Sequence, residues 1–246
     1  MKDNFSNQSK LYAAFRPHYP EVLYQFLFNH VHQFKTALDV ATGNGQVASV
    51  LAEKFEQVFA TDISENQLAH AVKKNNIIYK KEAAEKFSFA DENFDLITVA
   101  QAIHWFDFEK FYAEVKRTLK PNGIICVIGY GLLRIDNNVN PILDHFYKMV
   151  IGPYWDKERK HIDNAYQSIP FPFKTIESPA LFMEYEWPLD HFINYMITWS
   201  AVQHYINEHG TNPIGCDMIQ QLQEHWAVKE MKKVKFPLFV KLGRKE

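Results

Sequence analysis

The chain has 246 residues, 47% of them hydrophobic and 23% charged, with a formal net charge of −2. That is ordinary globular composition, long enough to bury a sizeable core. Its balanced charge and scattered basic residues give no electrostatic basis for a nucleic-acid partner. Two cysteines, Cys126 and Cys216, without CxxC spacing argue against a disulfide framework or a zinc site. No apolar run reaches membrane-span length, and polar Met1 to Lys10 lacks the core of a signal peptide. A cytoplasmic protein with no metal and no membrane partner is therefore expected.

Aromatic residues make up 15% of the chain and concentrate in residues 5–34, 104–112 and 146–205, near prolines and glycines, where pocket walls are built. At the N-terminus the pattern predicts a short helix over Ser9 to Phe15, ended by Pro17. Pro20 then opens a second helix with Val22, Leu23, Phe26, Leu27 and Val31 as its apolar stripe. This segment, with Tyr12, Phe15 and Arg16, reads either as a piece docked on the core or as a lid over a pocket.

Next comes Ala37-Leu38-Asp39-Val40-Ala41-Thr42-Gly43-Asn44-Gly45-Gln46: a buried strand, a glycine turn, and a helix carrying Val47, Val50, Leu51 and Phe55. A second strand over 57–61 ends at Asp62. Ser64 caps the following helix, with Gln67 in the capping-box position, and that helix is expected to reach Val72. Further strands are expected over 77–80, 94–100 and 124–129. Between the last two lie a loop over Gln101 to Phe106, a helix capped by Asp107 with Phe111, Val115 and Leu119 inward, and a break at Lys120-Pro121-Asn122-Gly123. Continuous apolar strands alternating with helices predict a parallel sheet covered on both faces.

Beyond Gly129 the pattern becomes irregular. Helical pieces are expected over Pro141 to Ile151, Asp190 to Glu208 and Pro213 to Trp226. A sixth strand is expected over Leu181 to Trp187, and a last one over Val234 to Leu242. Pro237 marks that last strand as irregular or near an edge. The expected architecture is α/β, a three-layer Rossmann-like seven-stranded mostly parallel sheet, with helices on both faces and a helical insertion after the fifth strand. It forms one domain: a lid (1–34), a core (35–129), substrate-side elements (130–230) and a last strand with tail (231–246).

A glycine turn followed about twenty residues later by a strand-end acid is a plan for holding a nucleoside and its ribose. A dinucleotide fingerprint would want a third glycine where Ala48 stands, so a nicotinamide-dependent oxidoreductase stays an alternative. The surrounding motifs point elsewhere. Leu38-Asp39-Val40-Ala41-Thr42-Gly43-Asn44-Gly45, Asp62-Ile63, Ala83-Ala84-Glu85-Lys86-Phe87-Ser88-Phe89, Phe94-Asp95-Leu96-Ile97 and Leu119-Lys120-Pro121-Asn122-Gly123 follow one another in order. Together they resemble a class I S-adenosylmethionine-dependent methyltransferase. Ala41 stands where the family usually has a glycine, and Ala83 where it usually has an aspartate for the adenine amino group. Residues 12–20, 101–106 and 198–202 are similar to the small-molecule group that includes trans-aconitate methyltransferase.

The resemblance implies S-adenosyl-L-methionine as cofactor. It would be held by Tyr12 and Arg16 of the lid, by Asp39, Thr42, Gly43, Asn44, Gly45 and Gln46, and by Asp62, Ile63 and Gln67. Ala83, Ala84 and Glu85 would meet adenine, and Ala100, Gln101 and Ala102 would complete the site. His104 and Trp105 follow the fourth strand, where ligands gather, and His104 is the candidate general base. An anionic acceptor would want a cation, for which Arg16 and Arg134 are candidates, with Tyr154, Trp155 and Trp199 as pocket wall. The expected activity is methyl transfer to a small molecule at oxygen, carboxylate or hydroxyl, by a monomer or homodimer. A methyltransferase-like module that binds cofactor without transferring the methyl is the other reading.

Overall fold

The computed structural model describes residues 15–227 and 229–246. Tyr12, and all but the last residue of the helix expected over Ser9 to Phe15, lie outside them. Helix α1 (Glu21–Phe28) starts directly after Pro20 and buries Leu23, Tyr24 and Leu27. Val22, expected in the same stripe, is 49% exposed.

Strands and helices then alternate: β1 (Thr36–Val40), α2 (Gln46–Leu51), β2 (Gln57–Asp62), α3 (Glu65–Ala69), β3 (Ile77–Lys81), β4 (Phe94–Ala100), α4 (Phe108–Thr118) and β5 (Leu119–Tyr130). All pairings among these five strands are parallel. Both expected caps form: the Ser64 hydroxyl accepts the Gln67 N–H, and the Asp107 carboxylate accepts the Lys110 N–H. Helix α3 stops before Val72 because the Val72 N–H donates instead to the Asn44 carbonyl in the glycine turn, at 3.0 Å. The break expected at Lys120 to Gly123 is a kink inside β5. The register against β4 shifts there, Asn122 is left-handed at φ 62°, and Lys245 bonds the kink through both its backbone groups.

The remaining elements are α5 (Val139–His145), α6 (Arg159–Asp163), β6 (Lys174–Ile176), β7 (Leu181–Trp187), α7 (Leu189–Ile197), α8 (Ser200–His209), α9 (Cys216–His225) and β8 (Lys232–Arg244). The single helix expected over 190–208 is two helices, parted where Trp199 is extended at ψ 137°. The sheet runs β3-β2-β1-β4-β5-β8-β6, with β7 also on β8, and β8 is antiparallel to its neighbours. Among the described residues there are eight strands rather than seven, because the outer position is divided. Between Ile176, opposite Leu242, and Leu181, opposite Leu238, the outer edge carries one residue more than β8. Pro179 lies in that interruption and has no N–H to offer the ladder.

Strand β8 itself is interior, against the expectation drawn from Pro237. The Pro237 carbonyl accepts the Gly131 N–H at 3.0 Å, on the side where β5 has just ended at Tyr130. In an antiparallel strand a residue's N and C=O face the same neighbour, so the missing donor falls past the end of β5.

Alternation along the strands builds the layers. Ala37, Val58, Ala60, Leu96, Ile124, Cys126 and Ile128 pack against Leu23, Leu27, Val47 and Leu51 of the helices on one face. Leu38, Val40, Ile97, Val99, Ile125 and Val127 pack on the other against Phe111 and Val115 of α4 and against Tyr166. A third cluster joins α5, α7, α8 and α9 around Phe192, Met196, Trp199 and Trp226, and meets the sheet at Tyr130 and Phe236. It therefore stands at the carboxyl ends of the parallel strands.

Candidate active site

Strand order reverses between β1 and β4, which opens a crevice beyond their carboxyl ends. A cavity fills that place. Asp39, Ala41, Thr42, Gly43, Asn44 and Gln46 wall it from the β1–α2 turn; Asp62, Ile63, Ser64 and Gln67 do so after β2. Ala100, Gln101, Ala102 and Trp105 close it after β4, and Arg16, Pro17, Tyr19 and Tyr130 complete it. Gln46 ties the approach to α1 onto the turn, donating to the Pro17 carbonyl at 3.2 Å and bonding His18 Nδ1 at 2.7 Å.

The two glycines of the turn are not equivalent. Gly43, at φ 57°, faces the cavity; a Cβ there would meet only Gln67 Oε1, at 3.9 Å. Gly45, at φ 80°, is outside the cavity wall and lies under Tyr79, whose hydroxyl occupies the place of a Cβ and donates to the Val72 carbonyl at 2.6 Å. Gly45, expected among the residues that hold the cofactor, is thus outside this wall, and its missing side chain makes room for Tyr79. Ala41 adopts the left-handed φ of 53° without being glycine, a conformation that costs an L-residue roughly 1 kcal/mol.

Asp39 is 1% exposed and is bound on three sides. Its carboxylate accepts from the Thr42 hydroxyl at 2.5 Å, the Thr98 hydroxyl at 2.7 Å and the Ala48 N–H at 3.2 Å. Burial nonetheless pushes its pKa up to about 6, against the lowering effect of those bonds. The folded state therefore favours the protonated acid. That contribution is complete below the unfolded value near 3.8 and is lost as pH rises through about 6. Denaturant melts of wild type and Asp39→Asn across pH 4 to 7 are expected to show wild type losing stability relative to the variant as pH rises, by about 2–3 kcal/mol. Parallel pH profiles for the two proteins would disprove this titration.

Asp62 ends β2 with both oxygens organised. Oδ2 accepts the Gly43 N–H and Oδ1 the Ser64 N–H, each at 2.9 Å. This carboxylate therefore fixes both turns that bound the cavity.

The loop expected to meet adenine is not in the wall of this cavity. Ala83 is exposed, Ala84 turns into the core beside Phe87, and Glu85 accepts the Asp107 N–H at 3.2 Å. Glu82, the other acid there, bonds Ser88 and lies 3.3 Å from Lys80. Local partners hold these carboxylates at the loop's own surface.

A second, smaller cavity adjoins the first and shares Arg16, Gln101 and Trp105 with it. His104, Trp155, Asp156, Arg159, Ile162, Trp199 and Ser200 form the rest of its wall. Of the expected acceptor residues, His104, Trp105, Trp155 and Trp199 come together here. Arg134 does not: it is exposed and paired with Asp144 at 2.8 Å. Tyr154 does not either, since its hydroxyl bonds His209 Nε2 at 2.6 Å and its ring packs on Tyr205.

His104 is 6% exposed, and its Nδ1 bonds the Tyr166 hydroxyl at 2.9 Å. Burial, with the nearby charges of Arg159 and His161, pushes its pKa down to about 3. An imidazole that holds a proton so weakly is a poor general base at neutral pH, which counts against the role expected of it. Arg159 and Asp156 went unread in the sequence because Asp156-Lys157-Glu158-Arg159-Lys160 looks like a solvated charged run. The one signal was Tyr154-Trp155 directly before it. Tyr130, at the end of β5, was also missed.

The methyltransferase-domain family matches residues 38–127. A protein of Dictyostelium discoideum, provisionally named a methyltransferase, is 32% identical over 252 residues, spanning 99% of this chain and 95% of its own. A methyltransferase of Aspergillus candidus is 31% identical over 188 residues, spanning 65% of this chain and 59% of that one. A structure from Anaeromyxobacter dehalogenans, provisionally titled a type II methyltransferase, is similar with a TM-score of 0.86 and 34% identity over 94% of this chain and 98% of that one. Likeness over nearly the whole length of two such proteins goes well beyond a shared sheet order. The chain belongs to the class I methyltransferases, enzymes whose cofactor is S-adenosyl-L-methionine.

Proposed function

We propose that this enzyme methylates an oxygen, carboxylate or hydroxyl, of a small molecule held in the second cavity. The observation that carries the reading is the shared wall: Arg16, Gln101 and Trp105 border both cavities, so a ligand in one can reach a ligand in the other. The first cavity suits the cofactor because Gly43 leaves its backbone approachable and Asp62 offers carboxylate oxygens to ribose hydroxyls. When bound, S-adenosylmethionine supplies an electrophilic methyl group, an acceptor oxygen lone pair forming the new C–O bond while the C–S bonding pair returns to sulfur.

The chain's own contribution is placement and exclusion of water. Trp105, Trp155 and Trp199 give the second cavity an apolar wall, and α7–α9 close the space behind Trp199. His104, neutral and fixed on Tyr166, orients its neighbours and takes no proton. An acceptor that arrives already ionised, such as a carboxylate, needs no base at all, whereas a hydroxyl acceptor has to release its proton to solvent water.

Radiolabelled methyl transfer over matched small acids, phenols and amines tests the reading. Label is expected in base-labile esters or in ethers. Labelling of amines alone would overturn the oxygen assignment. Tight S-adenosylhomocysteine binding without turnover on any acceptor would instead favour a module that only holds cofactor.

A further inference from the structure

Two arginines border the second cavity, and they are held differently. Arg16 donates from Nη1 to the Tyr130 hydroxyl at 3.0 Å and from Nη2 to the Thr198 carbonyl at 3.1 Å, so its fork is bound to the protein. Arg159 is held by the other end. Its Nε donates to the Tyr147 hydroxyl at 2.7 Å and lies 3.4 Å from Asp163 Oδ1. Its guanidinium lies over the Trp155 ring, 4.4 Å from the centroid, and 5.3 Å from that of Tyr147. Neither terminal nitrogen has a hydrogen-bond partner among the described residues. The group is part of the cavity wall, and the side chain is 20% exposed.

Stacking on an aromatic face and a bond at Nε fix the plane of a guanidinium while leaving its two-nitrogen edge presented. That is the geometry for bidentate binding of a carboxylate. The carboxylate sharing this wall, Asp156, lies 3.9 Å from His204 Nδ1, which itself bonds the Tyr154 carbonyl at 2.9 Å.

We propose that Arg159 anchors the methyl acceptor through a carboxylate bound across Nη1 and Nη2, with Trp155 and Trp199 flanking it. The acceptor class is then a small acid bearing a second, already ionised oxygen group, such as another carboxylate, so that forming the C–O bond as the C–S pair returns to sulfur leaves no proton to place. Pairing with a guanidinium draws electron density from the anchored carboxylate and makes it the poorer nucleophile. The methylated oxygen is therefore the other one, reaching toward Gln101 and Trp105 where the cavities meet. The inference rests on the reading of the second cavity as the acceptor site.

Tryptophan fluorescence is the direct readout, because Trp155 touches Arg159. Acetate, succinate and benzoate are titrated against their amides, with and without saturating S-adenosylhomocysteine, in wild type, Arg159→Lys and Arg159→Met. Saturable change with at least one acid and none with its amide is expected. Affinity should fall at least tenfold in Arg159→Met and less in Arg159→Lys, while affinity for S-adenosylhomocysteine stays within twofold. Equal binding of acid and amide, no acid binding at all, or undiminished acid binding by Arg159→Met would each overturn the proposal. Thermal melts establish that the variants fold; if Arg159→Met does not, undiminished acid binding by Arg159→Lys overturns it. Loss of S-adenosylhomocysteine binding in wild type would count against the cofactor cavity instead, and the titrations without it still read Arg159.

Discussion

Asp62→Ala is expected to weaken S-adenosylhomocysteine binding about 100-fold, measured by calorimetry at neutral pH. A hydrogen bond to a charged group is worth about 1.5–3 kcal/mol, and a strand-end acid that receives ribose hydroxyls makes two of them. Loss of even the smaller pair amounts to about 3 kcal/mol. Asp62 also organises the protein before any ligand arrives, since its two oxygens receive the Gly43 and Ser64 N–H groups. A carboxylate oxygen can accept two hydrogen bonds, so the Gly43 and Ser64 contacts do not by themselves exclude the ribose. The variant loses ligand contacts and turn geometry together. Asp62→Asn keeps the shape with one acceptor oxygen and should fall between, about tenfold weaker. An unchanged dissociation constant in Asp62→Ala would remove ribose binding from this residue.

The part of the molecule that this prediction addresses was also the part most legible in the sequence. Strands β1, β2, β4 and β5 carry largely apolar runs because both faces of the sheet are covered, and such runs stand out in any reading. Ser64 and Asp107 announced their helices because caps are local chemistry. What escaped depends on contacts between distant segments. Strand β6 has only three residues and borrows its order from Arg244, Gly243 and Leu242. Pro237 was read from the rule for an isolated strand, whereas its tolerance depends on where β5 stops. Arg159 looked solvated among charged neighbours until Trp155 and Tyr147, brought beside it by α6 and the turn after α5, gave it a wall to stack on. Arg134 erred in the opposite direction, since it pairs with Asp144, ten residues on in the chain, at 2.8 Å and away from the cavity.

The second large effect separates the two glycines that one motif had joined. Gly45→Ala is expected to destabilise the protein by about 3 kcal/mol, seen as a lower denaturant midpoint at unchanged slope. The left-handed φ of 80° costs an alanine roughly 1–2 kcal/mol, and crowding the Tyr79 hydroxyl adds a similar amount. Gly43→Ala carries the strain at φ 57° without the crowding, because Gln67 Oε1 is 3.9 Å from the new methyl. It should cost roughly 1 kcal/mol in stability. Its methyl, however, projects into the first cavity, so its main effect is expected on S-adenosylhomocysteine affinity. The cause of the Gly45 effect is open to a double-mutant cycle. In a Tyr79→Phe background the nearest ring atom to the new methyl is Cζ, at 3.2 Å, and the hydroxyl is gone. The cost of Gly45→Ala should shrink there by about 1 kcal/mol, with the backbone strain left over. Equal costs in both backgrounds would mean that Tyr79 does not fill the space Gly45 leaves, and that this glycine, like Gly43, serves only the turn.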